Sequence, residues 1–96
     1  MVRVMYVGII KSILGLREEQ VEMPEGTTIM TLLKYLEEKH GSKFAKQVMD
    51  PDTSIREEAL IIVDGNNIES LQGTRTPLPK SSEALVVILS SVSAGG

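Results

Sequence analysis

The sequence predicts an α+β domain in which one main helix packs across one face of a mixed sheet. Three observations carry this reading. Residues 2–10, 59–64 and 84–91 are short apolar runs rich in β-branched side chains, which suit buried strands. Ile29, Leu32, Leu33 and Leu36 fall at i, i+3, i+4 and i+7, a single apolar stripe along a helix. The chain has 96 residues, 42% of them hydrophobic, which is enough for one modest core and for one domain. A chain of this size buries only about 60–70% of its unfolded surface, so that core must hold everything together.

The elements follow in order. Residues 2–10 form the first strand. Gly15 and the cations around it suit a hairpin connection over 11–17, leading to a half-exposed second strand at 18–23. Pro24-Glu25-Gly26 stops that strand. Thr27 or Thr28 is the expected N-cap of the main helix. The helix closes at His40-Gly41: an imidazole near the last carbonyls, then a glycine for a left-handed turn. A short helical piece is expected over 42–50, with Phe44 and Val48 facing inward, before the turn Asp50-Pro51-Asp52-Thr53. The strand at 59–64 runs into Asp64-Gly65-Asn66-Asn67, a strong hairpin signal, and a brief strand at 67–69. Residues 70–83, with Gly73, Pro77 and Pro79, read as loop. The last strand, 84–91, is apolar on both faces and belongs at the sheet centre, paired with the first. The division is therefore a domain over 1–91 and a flexible tail over 92–96.

Composition excludes several activities. With no cysteine there is no disulfide, thiolate metal site or thiol nucleophile. His40 is the single histidine, and nothing is arranged around it for a triad or a metal site. A net charge of −3 with 3% aromatics argues against nucleic-acid binding. No apolar run reaches the roughly 20 residues that span a bilayer. The first residues lack a signal-peptide layout, so the expected location is the cytoplasm. The acidic pairs Glu18-Glu19, Glu37-Glu38 and Glu57-Glu58 read as solvated faces. Asp50 and Asp52 lack the glycine and glutamate spacing of a calcium loop. No phosphate-binding glycine motif occurs. No catalytic and no metal-ligating residues are assigned to this chain.

The informative feature is the end, Val92-Ser93-Ala94-Gly95-Gly96. Glycine has no side chain and wide backbone freedom, so such a tail can enter a narrow channel and present an unhindered carboxylate. Six residues from Ser91 can reach roughly 20 Å beyond a domain. A carboxylate is a poor electrophile because its charge is delocalised. Conversion to an acyl-adenylate supplies a leaving group that sulfur or an amine can displace. This sequence offers neither a nucleotide-binding loop nor a cysteine, so a partner must supply both. Taken alone, a Gly-Gly end also suits an ordinary frayed terminus.

The whole chain resembles the small sulfur-carrier proteins of molybdopterin synthesis and their archaeal ubiquitin-like modifier relatives. The resemblance runs through Val4 to Ile9, then Glu22-Met23-Pro24-Glu25-Gly26-Thr27-Thr28 leading into Leu32-Leu33. It continues through Ile62-Val63-Asp64-Gly65-Asn66-Asn67-Ile68, Thr76-Pro77-Leu78, and the last five residues. It implies the β-grasp (ubiquitin-like) fold. It implies that Gly96 carries the group to be adenylated, with Gly95, Ala94 and Ser93 as the tail that enters the partner. The carrier itself is not an enzyme and binds no cofactor; ATP and magnesium are used by an adenylating partner. The implied partners are that activating enzyme and the large subunit of molybdopterin synthase or another sulfur acceptor. In the modifier relatives they are target-protein lysines, joined through Gly96. A ubiquitin-like binding module with no reactive end is the remaining alternative. The sequence departs from the molybdopterin carriers at Ser90 and Ser91, where those often have prolines, and at the interposed Ala94. An apolar patch on the open sheet face is expected to dock partners, with no residues assigned to it.

Overall fold

The structure, a computed structural model, describes residues 1–80 and 84–91. Among them a five-stranded mixed sheet is ordered β2-β1-β5-β3-β4. Strand β1 (Val2–Gly8) pairs parallel with β5 (Ala84–Ser90) at the centre, as the apolar character of both runs predicts. Strands β2 (Glu18–Val21) and β3 (Ala59–Val63) flank them antiparallel, and the two-residue β4 (Asn66–Asn67) closes the far edge.

Burial alternates along the central strands. Val4, Tyr6, Val86, Ile88, Ile61 and Val63 point to one face, and all are buried. Helix α2 (Ile29–His40) lies against that face through the four stripe residues Ile29, Leu32, Leu33 and Leu36, each fully buried. Burying a side chain of this kind contributes roughly 1.5–3 kcal/mol. Thr28 caps the helix, its hydroxyl accepting from the Thr31 backbone N–H at 3.3 Å. The following α3 (Ser42–Val48) turns Phe44 and Val48 into the same core, as expected. The stretch after β4 is tied to the start of α2 by Ile29 N–H to Thr76 and Leu78 N–H to Thr27, at 2.9 and 2.7 Å. The Asp64-Gly65 turn has positive φ at both residues, 46° and 87°, the geometry of the expected tight hairpin.

Three expectations change. The connection over 11–17 is not a simple hairpin: Ile9–Leu14 is a helix, α1, so β1 ends at Gly8 rather than at residue 10. The β-branched pair Ile9-Ile10 reads as strand by propensity. Tertiary burial wins instead, because a helix turns Ile10 fully into the core and sets α1 against α3. The strand expected at 67–69 sits at Asn66–Asn67, and Ile68–Ser70 is a 3₁₀ turn. There the Asn67 side-chain oxygen accepts from the Glu69 N–H at 2.9 Å and draws the backbone out of the ladder. Gly41 has the expected positive φ of 87° with an extended ψ of −169°, so it redirects the chain into α3 rather than making a left-handed turn.

Candidate functional site

The second face of the sheet carries the other half of the alternation. The parallel and antiparallel registers put Met5, Val87 and Ile62 in one row across it, and Val7, Leu89 and Leu60 in the next. All six are partly or largely exposed, and no described helix covers them. This assigns residues to the open-face patch that the sequence left unassigned. One side of the patch has a polar rim, where Arg3 Nε meets Glu18 Oε2 at 2.7 Å. An apolar surface with a polar border is the usual form of a protein-docking face.

The patch runs to the end of β5. The row Val7, Leu89, Leu60 lies one residue before Gly8 and Ser90, the last pair of the β1–β5 ladder. An apolar groove of about 450 Å³ opens there, lined by Val7, Ile9, Leu89, Ser90 and Ser91 among others. The residues assigned to chemistry from the sequence, Gly96 with Gly95, Ala94 and Ser93, lie outside the described residues, as does the tail over 92–96. The structure therefore fixes the base from which that tail starts and the surface beside it.

At the other end of the sheet a wide depression of about 740 Å³ is lined by Met1, Val2, Arg3, Glu18, Glu19, Gln20 and Leu85. It is open and gathers no convergent catalytic set. Among the described residues no group of acidic or histidine side chains could hold a metal ion. No described helix is long and apolar enough to cross a membrane.

Histidine 40 corrects the sequence reading in one respect. Its ring does not cap the carbonyls of α2. His40 Nε2 lies 2.6 Å from Glu19 Oε2, and the same carboxylate accepts from Tyr6 Oη at 2.6 Å and Lys39 Nζ at 2.6 Å. The ring also meets Tyr6 edge-on and lies near Phe44. Glu19 is thus not part of a solvated face: its side chain is only 8% exposed. Burial alone raises its carboxyl, but donation from Lys39, Tyr6 and His40 outweighs that and holds it below the ordinary value. Burial first, and then the bond to Glu19, raise the Tyr6 phenol and keep it a donor. The cluster pins β2 to the end of α2 and is structural. Sequence gave no sign of it, because Glu19 and His40 are 21 residues apart.

A carboxylate with a lowered folded pKa stabilises the fold above its unfolded value and ceases to do so as pH falls through the folded one. Stability is therefore expected to be full near neutrality and to fall in the acid range, below the ordinary glutamate value of 4.5. Glu19→Gln should cost about 2 kcal/mol at pH 7 and flatten that acid dependence. Urea unfolding of both chains at several pH values checks this; parallel acid profiles would remove Glu19 from the account.

A model of the ThiS family matches residues 4–95 of this chain. No curated protein matches it in sequence. Among solved structures, Urm1 from Trypanosoma brucei is similar with a TM-score of 0.79 at 17% identity, over 99% of this chain and 94% of that one. SAMP1 from Haloferax volcanii gives 0.78 at 14% identity, over 98% of both chains. A chain of the BexX/CysO complex of Amycolatopsis orientalis gives 0.76 at 16%, over 99% of this chain and 100% of that one. At these identities the likeness is one of fold, and the fold is the ubiquitin-like β-grasp.

Proposed function

Because this chain belongs to the ThiS family, we propose that it is a sulfur carrier whose working group is the carboxylate of Gly96. The matched span carries the reading. It runs from β1 along β5 and through Val92 to Gly95, so it takes in the approach to the chain end and stops one residue before Gly96.

The chemistry follows from the chain's own inventory. A carboxylate oxygen of Gly96 attacks the α-phosphorus of ATP within an adenylating partner, and pyrophosphate leaves. The acyl-adenylate is then attacked at carbon by a hydrosulfide equivalent from a sulfur donor; AMP leaves with the carboxyl oxygen bonded to phosphorus. The product is a thiocarboxylate. The chain holds no cofactor of its own, and ATP and magnesium belong to the partner. The open face around Val87 and Leu89 docks that partner while residues 92–96 enter its active site. The dependence on ATP makes the cytoplasm the working compartment. The large subunit of molybdopterin synthase, or another sulfur acceptor, then takes the sulfur.

Incubation of the chain with an adenylating enzyme, ATP, magnesium and a sulfur donor should add the mass difference between sulfur and oxygen to the intact protein. An unchanged mass across the adenylating enzymes of its own cell would count against the carrier reading. The small archaeal modifier among its structural neighbours favours one second reading, an isopeptide bond from Gly96 to target lysines. Tryptic digests of native cells would then contain lysines bearing the remnant that begins after Lys80, the last cleavage site before the tail.

A further inference from the structure

The geometry points to a clamp at the root of the tail. Gly8 and Ser90 hold the end of β5 and so fix Ser91, the point from which the chain continues toward Gly96, which makes them positioning residues for activation at Gly96. This rests on the functional reading above, and deepens it by separating docking from aim.

The clamp has two sides. On the β1 side Ser90 stands opposite Gly8 in the parallel register, and its buried hydroxyl accepts from the Ile10 N–H at 2.9 Å. Gly8 has φ 87° and ψ −146°, backbone that residues with a Cβ rarely adopt. A Cβ at this position would also overlap the Ser90 carbonyl oxygen. Only glycine lets β1 turn away into α1 while β5 stays this close. On the β3 side the Ser91 N–H donates to the Glu58 carbonyl at 3.0 Å, and the Ser91 hydroxyl donates to the same oxygen at 3.3 Å. The last two described residues of the chain are therefore tied to both neighbouring segments, where a strand end would ordinarily fray.

The consequence is geometric. Five residues beyond Ser91 reach at most about 17 Å. Within that reach, the origin of the tail decides where its carboxylate can arrive. The clamp lies one residue past the row Val7, Leu89, Leu60, so the docking face and the tail root form one frame. A partner that grips the face meets the tail from a fixed origin, and that alignment is one on which a bound reaction rate depends.

Ser90→Ala removes the acceptor of the Ile10 N–H and leaves every exposed residue of the face unchanged. Steady-state adenylation should then show kcat lowered about tenfold or more, with KM within about twofold of the wild-type chain. This split separates aim from mere destabilisation. The chain is the substrate, so a partly unfolded fraction lowers the competent concentration and appears in KM, not in kcat. Exchange of the Ser91 amide hydrogen should also accelerate about tenfold or more in the variant. Gly8→Ala is expected to act in the same direction where it folds. Unchanged kcat in a folded Ser90→Ala chain, an effect confined to KM, or unaltered exchange at Ser91 would each overturn the clamp. A wild-type chain that no adenylating enzyme charges would sink the functional reading and the clamp's role with it, while the exchange result would still report on the clamp itself.

Discussion

Removal of Gly95 and Gly96 is expected to abolish charging by the activating partner and leave the thermal midpoint within about 2 °C of the full chain. The two halves of this expectation have separate causes. The stabilising core is built from residues 2 to 88: Val4, Tyr6 and Ile10 on the first strand and helix, the stripe of α2, Phe44 and Val48 on α3, and Val86 and Ile88 on β5. None of these touches the terminal pair in sequence. A domain of this size shifts by about 4–8 °C for each kcal/mol lost, so a change under 2 °C means that the pair contributes little to the fold. Charging is the opposite case. The shortened chain still ends in a carboxylate, on Ala94, but that group sits two residues short and carries a methyl beside it. A shortfall of about 7 Å in a tail that reaches at most about 17 Å places the carboxylate outside a site shaped for the full length. Calorimetry and an adenylation assay on the two chains check the pair of outcomes. A chain lacking both glycines that is still charged at the normal rate would refute the assignment of Gly96.

The second large effect is expected on the open face. Val87 lies in the middle of it, between Met5 on β1 and Ile62 on β3. Val87→Glu puts a charge where a partner must exclude water, and a central residue of such a face can carry about 2–4 kcal/mol of binding, or roughly 30-fold to 1,000-fold in affinity. The same change should cost the fold no more than about 1 kcal/mol. The side chain points away from the core, whose contacts on β5 are made by the alternate residues Val86 and Ile88. KM for the activating enzyme should therefore rise at least about 30-fold with little change in kcat, the reverse of the pattern expected for Ser90→Ala. Calorimetric titration of the enzyme with both chains measures the affinity directly. Equal affinity would move the docking surface elsewhere.

The parts of this fold that sequence made legible are those where one periodicity had one cause. The i, i+3, i+4, i+7 stripe of α2 marks burial on a single helix face, and all four residues are buried. The Asp64-Gly65 turn is legible because positive φ is needed there and those residue types tolerate it. Where two causes share one pattern, reading by pattern fails. Ile9 and Ile10 continue a β-branched run, yet the positive φ of Gly8 ends the strand and the core takes Ile10 from a helix. Strand β5 is apolar on both faces and central in the order of the sheet, as expected, but the described helices cover only one face. Its second apolar face is the candidate docking surface, a distinction that composition does not make. The Glu19, Lys39, His40 and Tyr6 cluster was illegible for a different reason: it forms between β1, β2 and the end of α2 only once the chain has folded.

The claim on which the rest depends is that an adenylating partner acts on the free carboxylate of Gly96. Its most direct measurement is the exchange of labelled pyrophosphate into ATP by the activating enzyme. The full chain is compared with a semisynthetic chain of the same length whose last residue is a carboxamide. Exchange is expected with the free acid and none above background with the amide. Equal exchange with both chains would contradict it.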